Sequence, residues 1–401
     1  MIDPVTPEAT ALPRGVSLLI VATVGSTLRS FLLPYATHFR GLGWRVDGAA
    51  SAVAGDPALA GAFDRVHELP LSRSIRDIGG MVRAERALED VLESGYDLVH
   101  VHTPIASLVT RVAMRRMPAA RRPALAYTAH GFHFHKDGSP LTNALFVTAE
   151  RTAGRWTDRL VVINDEDFEA ARRHRIVPGS HLVHMPGIGI DTGVYARSVL
   201  DPEAIRRARD VLGGGPDAPL FVVVAELNAN KRNADVIEAL ALAADRRAHL
   251  VMLGDGPERA NLEALAARLG VGDRVHLAGF VGDVRPVIAS ADALVLASHR
   301  EGLARSIMEA LALEVPVIAS TARGNRELVG SDGGIVVPVG DPRALAGAMD
   351  RIVAEPETAR RMGARGRARM VERFDLRAVI TEHEAMYGSM LAERAGSHRA
   401  G

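Results

Sequence analysis

Residues 298–320 read SHREGLARSIMEALALEVPVIAS, a loop, a helix and a strand in that order. Apolar residues recur at helical spacing from about Ala304 to Leu313, and Val315–Ala319 is an apolar run closed by polar residues, as in a buried strand. The loop carries Glu301 and Gly302, and Glu309 follows Glu301 after seven intervening residues. Backbone N–H groups at a helix start are unpaired and lie at the positive end of the helix dipole, so Gly302, Leu303 and Ala304 suit a diphosphate. A carboxylate before that turn accepts sugar hydroxyl protons, and one two turns into the helix does the same for a ribose. The competing reading is an ordinary amphipathic helix with two exposed glutamates, since charged residues are mostly exposed.

The chain around this segment has 401 residues, room for two domains of roughly 100–200 residues each. Hydrophobic content of 47% permits large cores, and a formal charge of zero gives no global pull toward nucleic acid or anionic membrane. Cysteine is absent, which excludes disulfides and thiolate metal sites. The first 14 residues include Asp3 and Glu8 and lack a basic n-region, unlike a signal peptide. Val16–Val24 is too short to span a bilayer. The expectation is a cytoplasmic enzyme.

Val16–Val24 is a continuous β-rich run, as expected of a strand buried on both faces of a parallel sheet. Gly25-Ser26-Thr27 follows, then a helical pattern through Phe31, Leu32 and Phe39, so a phosphate has room to approach the Gly25 turn, although such turns often need a glycine anyway. Further strands are expected at Asp97–His102, Ala124–Thr128 and Arg159–Asn164, separated by helices. The alternation means a doubly wound α/β domain. After an irregular stretch near Gly187–Leu200 a second series begins. Strands are expected at Leu220–Ala225, Leu250–Leu253, Val275–Ala278, Ala293–Ala297 and Ile335–Val337, and Phe374–Leu391 reads as a final long helix. His100 and His102 alternate on one strand, and His130, His133 and His135 follow the next, at the strand end where open α/β sheets bind ligands. Five histidines suggest a metal. Transition-metal sites normally add carboxylate or thiolate ligands at recognisable spacing, so packed, hydrogen-bonded histidines are the better reading for His100 and His102.

DLVHVHTP (97–104), YTAHGFHFHKDGSP (127–140), DRLVVINDED (158–167) and MPGIGIDTGVY (185–195), with the Glu301–Glu309 segment, resemble retaining family-4-type glycosyltransferases, and most of all those of bacterial exopolysaccharide and capsule synthesis. The likeness runs from about Val16 to Val337. It implies the GT-B fold, two Rossmann-like parallel-sheet domains facing each other across a cleft. The expected divisions are an acceptor domain over 15–190, a nucleotide-sugar donor domain over 200–373, and a helix over 374–395 crossing back to the first domain.

The same resemblance implies the site. Glu309 holds the ribose, Glu301 holds hydroxyls of the donor sugar, and the Gly302–Ala304 amides bind the diphosphate of a UDP-sugar. Lys231 supplies a cation from the loop ELNANKRN (226–233), with Arg232 as a second and Asn228 beside them. Relatives usually carry an arginine where this chain has Glu226, and many have proline at Ala304. His130 contacts the donor sugar or its transition state, and Gly25 borders the donor. No cofactor or metal is expected, because no Asp-x-Asp motif lies in a suitable loop and Asp165-Glu166-Asp167 reads as a helix start. The family retains anomeric configuration, which implies same-face displacement with the leaving phosphate as base.

Rival readings are a UDP-sugar 2-epimerase of the same fold, a transferase acting on a soluble natural product, and a scaffold with a dead site. Against the last, Glu301, Glu309, Lys231 and His130 are all in place. Arg111, Arg115, Arg116, Arg121 and Arg122, with Phe132, Phe134 and Lys136 nearby, suit the surface of an anionic membrane at about 1 kcal/mol per arginine. Polysaccharide-assembly enzymes act on polyprenyl-diphosphate-linked saccharides, so the expected acceptor is a lipid-linked saccharide and the expected location the inner face of the plasma membrane.

Overall fold

The computed structural model describes residues 12–72, 74, 77–134, 138–212, 215 and 217–399. The chain forms two compact units, one comprising residues to Ile188 and from Val379 onward, the other Gly189–Ala378.

The first unit holds a seven-stranded sheet in the order β3-β2-β1-β4-β5-β6-β7, all parallel. Its strands are β1 (Ser17–Val24), β2 (Arg45–Ser51), β3 (Arg65–Glu68), β4 (Leu98–His102), β5 (Ala124–Ala129), β6 (Arg159–Val162) and β7 (Leu182–His184). The second holds six parallel strands in the order β10-β9-β8-β11-β12-β13. These are β8 (Leu220–Val224), β9 (His249–Leu253), β10 (Val275–Gly279), β11 (Ala293–Leu296), β12 (Val317–Ser320) and β13 (Gly334–Val337). In each sheet the order reverses beside the first strand, between β1 and β4 and between β8 and β11. Loops leaving the carboxyl ends of two such neighbours diverge, which opens a crevice for a ligand.

The sheets are parallel because they are covered on both faces. In β8, Phe221 and Val223 pack with Val236, Ile237 and Leu240, while Leu220 and Val222 pack with Ile307, Met308 and Leu311. Successive side chains of one strand thus feed two cores, and no polar position is needed. Ile307, Met308 and Leu311 lie on the helix Arg305–Ala312, so the second core fixes the helix that carries Glu309.

Two expectations need adjustment. The helical pattern after Gly25 is not one helix: a turn at Gly25–Thr27 leads into a π-helical stretch, Leu28–Leu32, and then the helix Leu33–Gly41. Pro34 lies in the first turn of that last helix and has no N–H to continue a regular ladder, which accounts for the interruption. The final helix runs Leu376–Arg399, starting two residues later than Phe374. Phe374 is instead engaged through its carbonyl, which accepts from Ile190 N at 2.8 Å. Within the first unit, Tyr387 of the final helix lies with its hydroxyl 2.5 Å from His100 Nδ1, and Arg159 donates to Ser389 Oγ at 2.9 Å. Residues 189–199 belong to the second unit.

Candidate active site

β8 and β11 end side by side, and their loops are stitched together. His299 N donates to the Asn230 carbonyl at 2.7 Å, and Asn230 Nδ2 donates to the Arg300 carbonyl at 3.0 Å. Within the β8 loop, Asn228 Oδ1 accepts from Lys231 N at 3.2 Å and so caps the short turn Ala229–Lys231. That cap aims Lys231 at the β11 loop, where its Nζ lies 2.6 Å from Glu301 Oε1. The pair is largely withdrawn from solvent. Arg232 takes the left-handed conformation at φ +49° and grips Asp235 at 2.7 and 3.0 Å, so its charge is spent on its own helix. Glycines let a third loop press on this one: a Cβ on Gly254 would lie 2.0 Å from the Ala225 carbonyl oxygen, and one on Gly256 2.4 Å from that of Leu227.

The helix Arg305–Ala312 begins at Ala304, whose methyl cannot cap it, so the N-cap residue gives its first-turn N–H groups no side-chain hydrogen bond. These amides and the dipole favour an anion at that end. Glu309 is buried at 6% exposure. Its Oε1 accepts from Tyr195 Oη at 2.9 Å and from Arg305 Nε at 2.9 Å. Burial, then the Glu309 charge, pushes the Tyr195 phenol up to about 12, which keeps it a donor. Gly302 is backed by Gly324 in the loop after β12: φ there is +78°, and a Cβ would stand 1.6 Å from the Gly302 carbonyl oxygen. Leu303 packs partly buried against the core beneath, and Ala304 is buried.

In the first unit, His130 follows β5 and its Nε2 lies 3.1 Å from His102 Nδ1, with the rings stacked. Burial, then the neighbouring His383, pushes the His130 imidazole down to about 4. His102 and His100 are held neutral chiefly by burial as well. His100 spans Tyr387 Oη and Thr128 Oγ1. His133 turns elsewhere, stacking on Phe146, and His135 lies outside the described residues. Gly25 is a packing position: a Cβ there would lie 2.6 Å from the Ala52 carbonyl oxygen. Asn164 caps the helix Asp165–His174 by accepting from Asp167 N at 2.8 Å, with the three acidic residues in its first turn.

This geometry has relatives. Residues 31–193 match the family described as Glycosyltransferase Family 4, and residues 205–369 match Glycosyl transferases group 1. The putative glycosyltransferase EpsD of Bacillus subtilis is 33% identical over 93% of this chain and 97% of its own. The chain belongs to the family 4 glycosyltransferases. An Escherichia coli enzyme named UDP-Gal:alpha-D-GlcNAc-diphosphoundecaprenol alpha-1,3-galactosyltransferase is 23% identical over 80% of this chain and 81% of its own. Among solved structures, HepE of Anabaena in complex with UDP and glucose superposes with a TM-score of 0.78 at 20% identity, covering 93% of this chain and 100% of HepE, which places the fold as GT-B.

For this glycosyltransferase the motif brings Lys231, Glu301 and the uncapped helix start together, with Glu309 further along the same helix. It does not show Tyr195, Arg305 or Gly324. Arg305 is readable in retrospect, because Arg and Glu four apart on a helix face each other. Tyr195 lies 114 residues from Glu309, and no local pattern links them.

Of the arginine segment, Arg115, Arg116 and Arg121 are exposed and Arg122 is half-buried, but Arg111 is not part of the basic face expected. Arg111 is 2% exposed, with its guanidinium 4.5 Å over the Tyr127 ring and Nη2 3.1 Å from Glu150. Arg116 pairs with Glu85 at 2.8 Å, and Arg122 holds the carbonyls of Met117 and Arg115. Phe132 and Phe134 are buried and stacked on one another, and Lys136 lies outside the described residues. Exposed apolar side chains here include Leu108, on the helix of the arginines, and Leu141 and Leu145, on the helix Pro140–Gly154. Among the described residues no helix is long and apolar enough to cross a membrane.

Proposed function

We propose that this glycosyltransferase moves a hexosyl or N-acetylhexosaminyl group from a UDP-sugar to a hydroxyl of a polyprenyl-diphosphate-linked saccharide, with retention, in exopolysaccharide or cell-surface glycan synthesis. The observation that carries the donor half is Glu309: a buried carboxylate with its Tyr195 and Arg305 hydrogen bonds both on Oε1, one helix turn beyond N–H groups that the N-cap residue, Ala304, leaves without a side-chain cap. A ribose diol donating to Oε2 and a diphosphate on those amides fit one nucleotide into that arrangement. HepE, of the same fold, was crystallised with UDP and glucose.

The chemistry then runs as follows. The bond from the sugar anomeric carbon to the diphosphate oxygen breaks, and charge grows on the departing UDP. Lys231 donates to that diphosphate as well as to Glu301 Oε1, which leaves Oε2 of Glu301 to accept hydroxyls of the donor sugar. The acceptor oxygen bonds to the anomeric carbon on the face that UDP leaves, and its proton passes to the leaving phosphate. His130, neutral at physiological pH, offers one nitrogen to the donor sugar. The amides and Lys231 carry the phosphate charge without a metal. The acceptor reading leans on the E. coli relative named for a diphosphoundecaprenol-linked substrate and on exposed Leu141 and Leu145, which suit the edge of a lipid surface on the inner face of the membrane.

Calorimetry with UDP tests the donor site. Glu309→Ala is expected to weaken binding by about 2–4 kcal/mol, the worth of one to two hydrogen bonds to a charged group. Unchanged affinity refutes the assignment. UDP release from a panel of UDP-sugars, with lipid-linked and soluble acceptors in parallel, decides the acceptor, and turnover only with a soluble one refutes the lipid-linked reading.

A further inference from the structure

A pocket of about 420 Å³ opens in the first unit at the amino ends of β5 and β6, where Ala124 and Asp158 form part of its wall. The strands are parallel, so this is the end opposite His102 and His130. At a rise of roughly 3.3 Å per residue, six-residue β5 sets the two places about 20 Å apart. Arg111, Arg115, Arg122, Arg155 and Arg394 line the pocket against two carboxylates, Asp158 and Glu393. Both carboxylates are already engaged. Asp158 Oδ2 accepts from Leu125 N at 2.7 Å, and Glu393 pairs with Arg159, which holds its carboxyl below the usual range.

Arg111 is the unusual member. Its Nε and Nη2 are bound to Ser107 and Glu150, but Nη1 is buried with no hydrogen-bond partner. A guanidinium cannot shed its charge, and a buried donor left unpaired costs about 1–3 kcal/mol or more. Its side chain forms part of the pocket wall, so that charge adds to the positive potential there. Arg115 lies 5.1 Å over the Trp156 ring and Arg155 forms the adjacent wall, so two further guanidinium groups flank the same opening.

We propose that this pocket binds a phosphate group, with Arg115 and Arg155 as the cations that meet it and the buried Arg111 adding positive charge behind them. Forked guanidinium groups match phosphate oxygens, and the volume accommodates a phosphorylated small molecule or a lipid headgroup. The site is separate from the donor loops, which lie in the other unit, and does not depend on the transfer reaction.

The chain has two tryptophans, Trp44 and Trp156, so emission that changes in wild type and not in Trp156→Phe reports the pocket. The full chain, saturated with UDP to occupy the donor site, is titrated with inorganic pyrophosphate and separately with vesicles of phosphatidylcholine containing about one-third phosphatidylglycerol. A saturable Trp156 response to pyrophosphate, weakened at least tenfold in Arg115→Glu/Arg155→Glu, supports the site with a free phosphate compound as ligand. A response to the anionic vesicles alone, lost in the same variant and absent with pure phosphatidylcholine, supports it with a lipid headgroup. Both responses, each lost in the variant, support the shared phosphate chemistry. No response to either probe, or a response that the double variant keeps within twofold, overturns the proposal. The substituted side chains are at the surface or pocket rim, so folding is not at stake.

Discussion

Acidification should unlock the first unit, and His383 is the residue with which to measure it. His383 is 3% exposed on the final helix, its Nδ1 sits 2.8 Å from the Val379 carbonyl, and its ring meets Tyr35 edge-on at 5.0 Å and His100 at 5.7 Å. Burial pushes its imidazole from the ordinary 6.5 down to about 4. No carboxylate stands among these contacts to receive a proton. In the unfolded chain the same group protonates freely near 6.5, so between about pH 6.5 and pH 4 the unfolded state binds the extra proton. Stability is therefore complete above about 6.5 and falls as pH drops toward 4. At about pH 5 the gap is roughly 1.5 pH units, which at about 1.4 kcal/mol per unit removes about 2 kcal/mol through His383 alone. His100, His102 and His130 are shifted in the same direction and add to the loss. Against a typical stability of about 5–15 kcal/mol this is a substantial fraction. Both tryptophans lie in the first unit, and Trp44 is buried against Phe39, so urea melts followed by tryptophan emission report that unit selectively. Wild type should lose at least about 2 kcal/mol between about pH 7.5 and pH 5, and His383→Gln should lose about 2 kcal/mol less. Equal losses in the two proteins, or a wild-type stability that does not change with pH, would refute the reasoning.

Tyr195→Phe removes one hydrogen bond to the Glu309 carboxylate and should weaken UDP binding by about 1–2 kcal/mol in calorimetry while leaving the melting temperature within a few degrees. Turnover should survive EDTA; loss that only Mg²⁺ or Mn²⁺ restores would show that the amides and Lys231 do not suffice. Glu301→Gln and His130→Ala should lower the rate of sugar transfer far more than the affinity for UDP, because both are assigned to the sugar; parallel losses would place them with the nucleotide or the fold.

What could be read from the sequence depended on whether its cause was local. β1 and β8 announce themselves because strands covered on both faces must be apolar throughout. β2, with the sequence RVDGAAS, has no such run: its Asp47 is fully buried and tolerated because Tyr96, far along the chain, donates to it at 2.7 Å while Arg45 and His67 each lie 3.8 Å from the same oxygen. The edge strand β3 has four residues of which only Val66 is apolar, too few for a pattern to stand out from a loop. Side chains divide in the same way. Glu301 and Glu309 were visible because one loop and one helix hold them at fixed spacing. Arg111 was misplaced because charged residues in a helix are usually exposed, and the groups that make its burial tolerable, Glu150 and the Tyr127 ring, come from other elements. Only Ser107, one turn earlier on the same helix, was a local sign.

The resting charges of the donor loops carry a consequence for affinity. Lys231 is joined to Glu301, Arg305 to Glu309 and Arg232 to Asp235, so these cations have little charge to spare. In the proposed reading a nucleotide leaves the Arg305 pair in place, because that pair lies on Oε1 of Glu309 and helps aim the carboxylate. It competes with Glu301 for Lys231, whose three N–H donors are then shared between the carboxylate and the diphosphate. Lys231 thus weakens one pairing as it gains another, so the net gain from that cation is smaller than its charge suggests. The remaining stabilisation has to come from donors that no N-cap side chain holds, the N–H groups at the start of the helix Arg305–Ala312. In the same reading Lys231 holds only Oε1 of Glu301, so Oε2 can accept a donor-sugar hydroxyl while the shared lysine links that contact to the diphosphate.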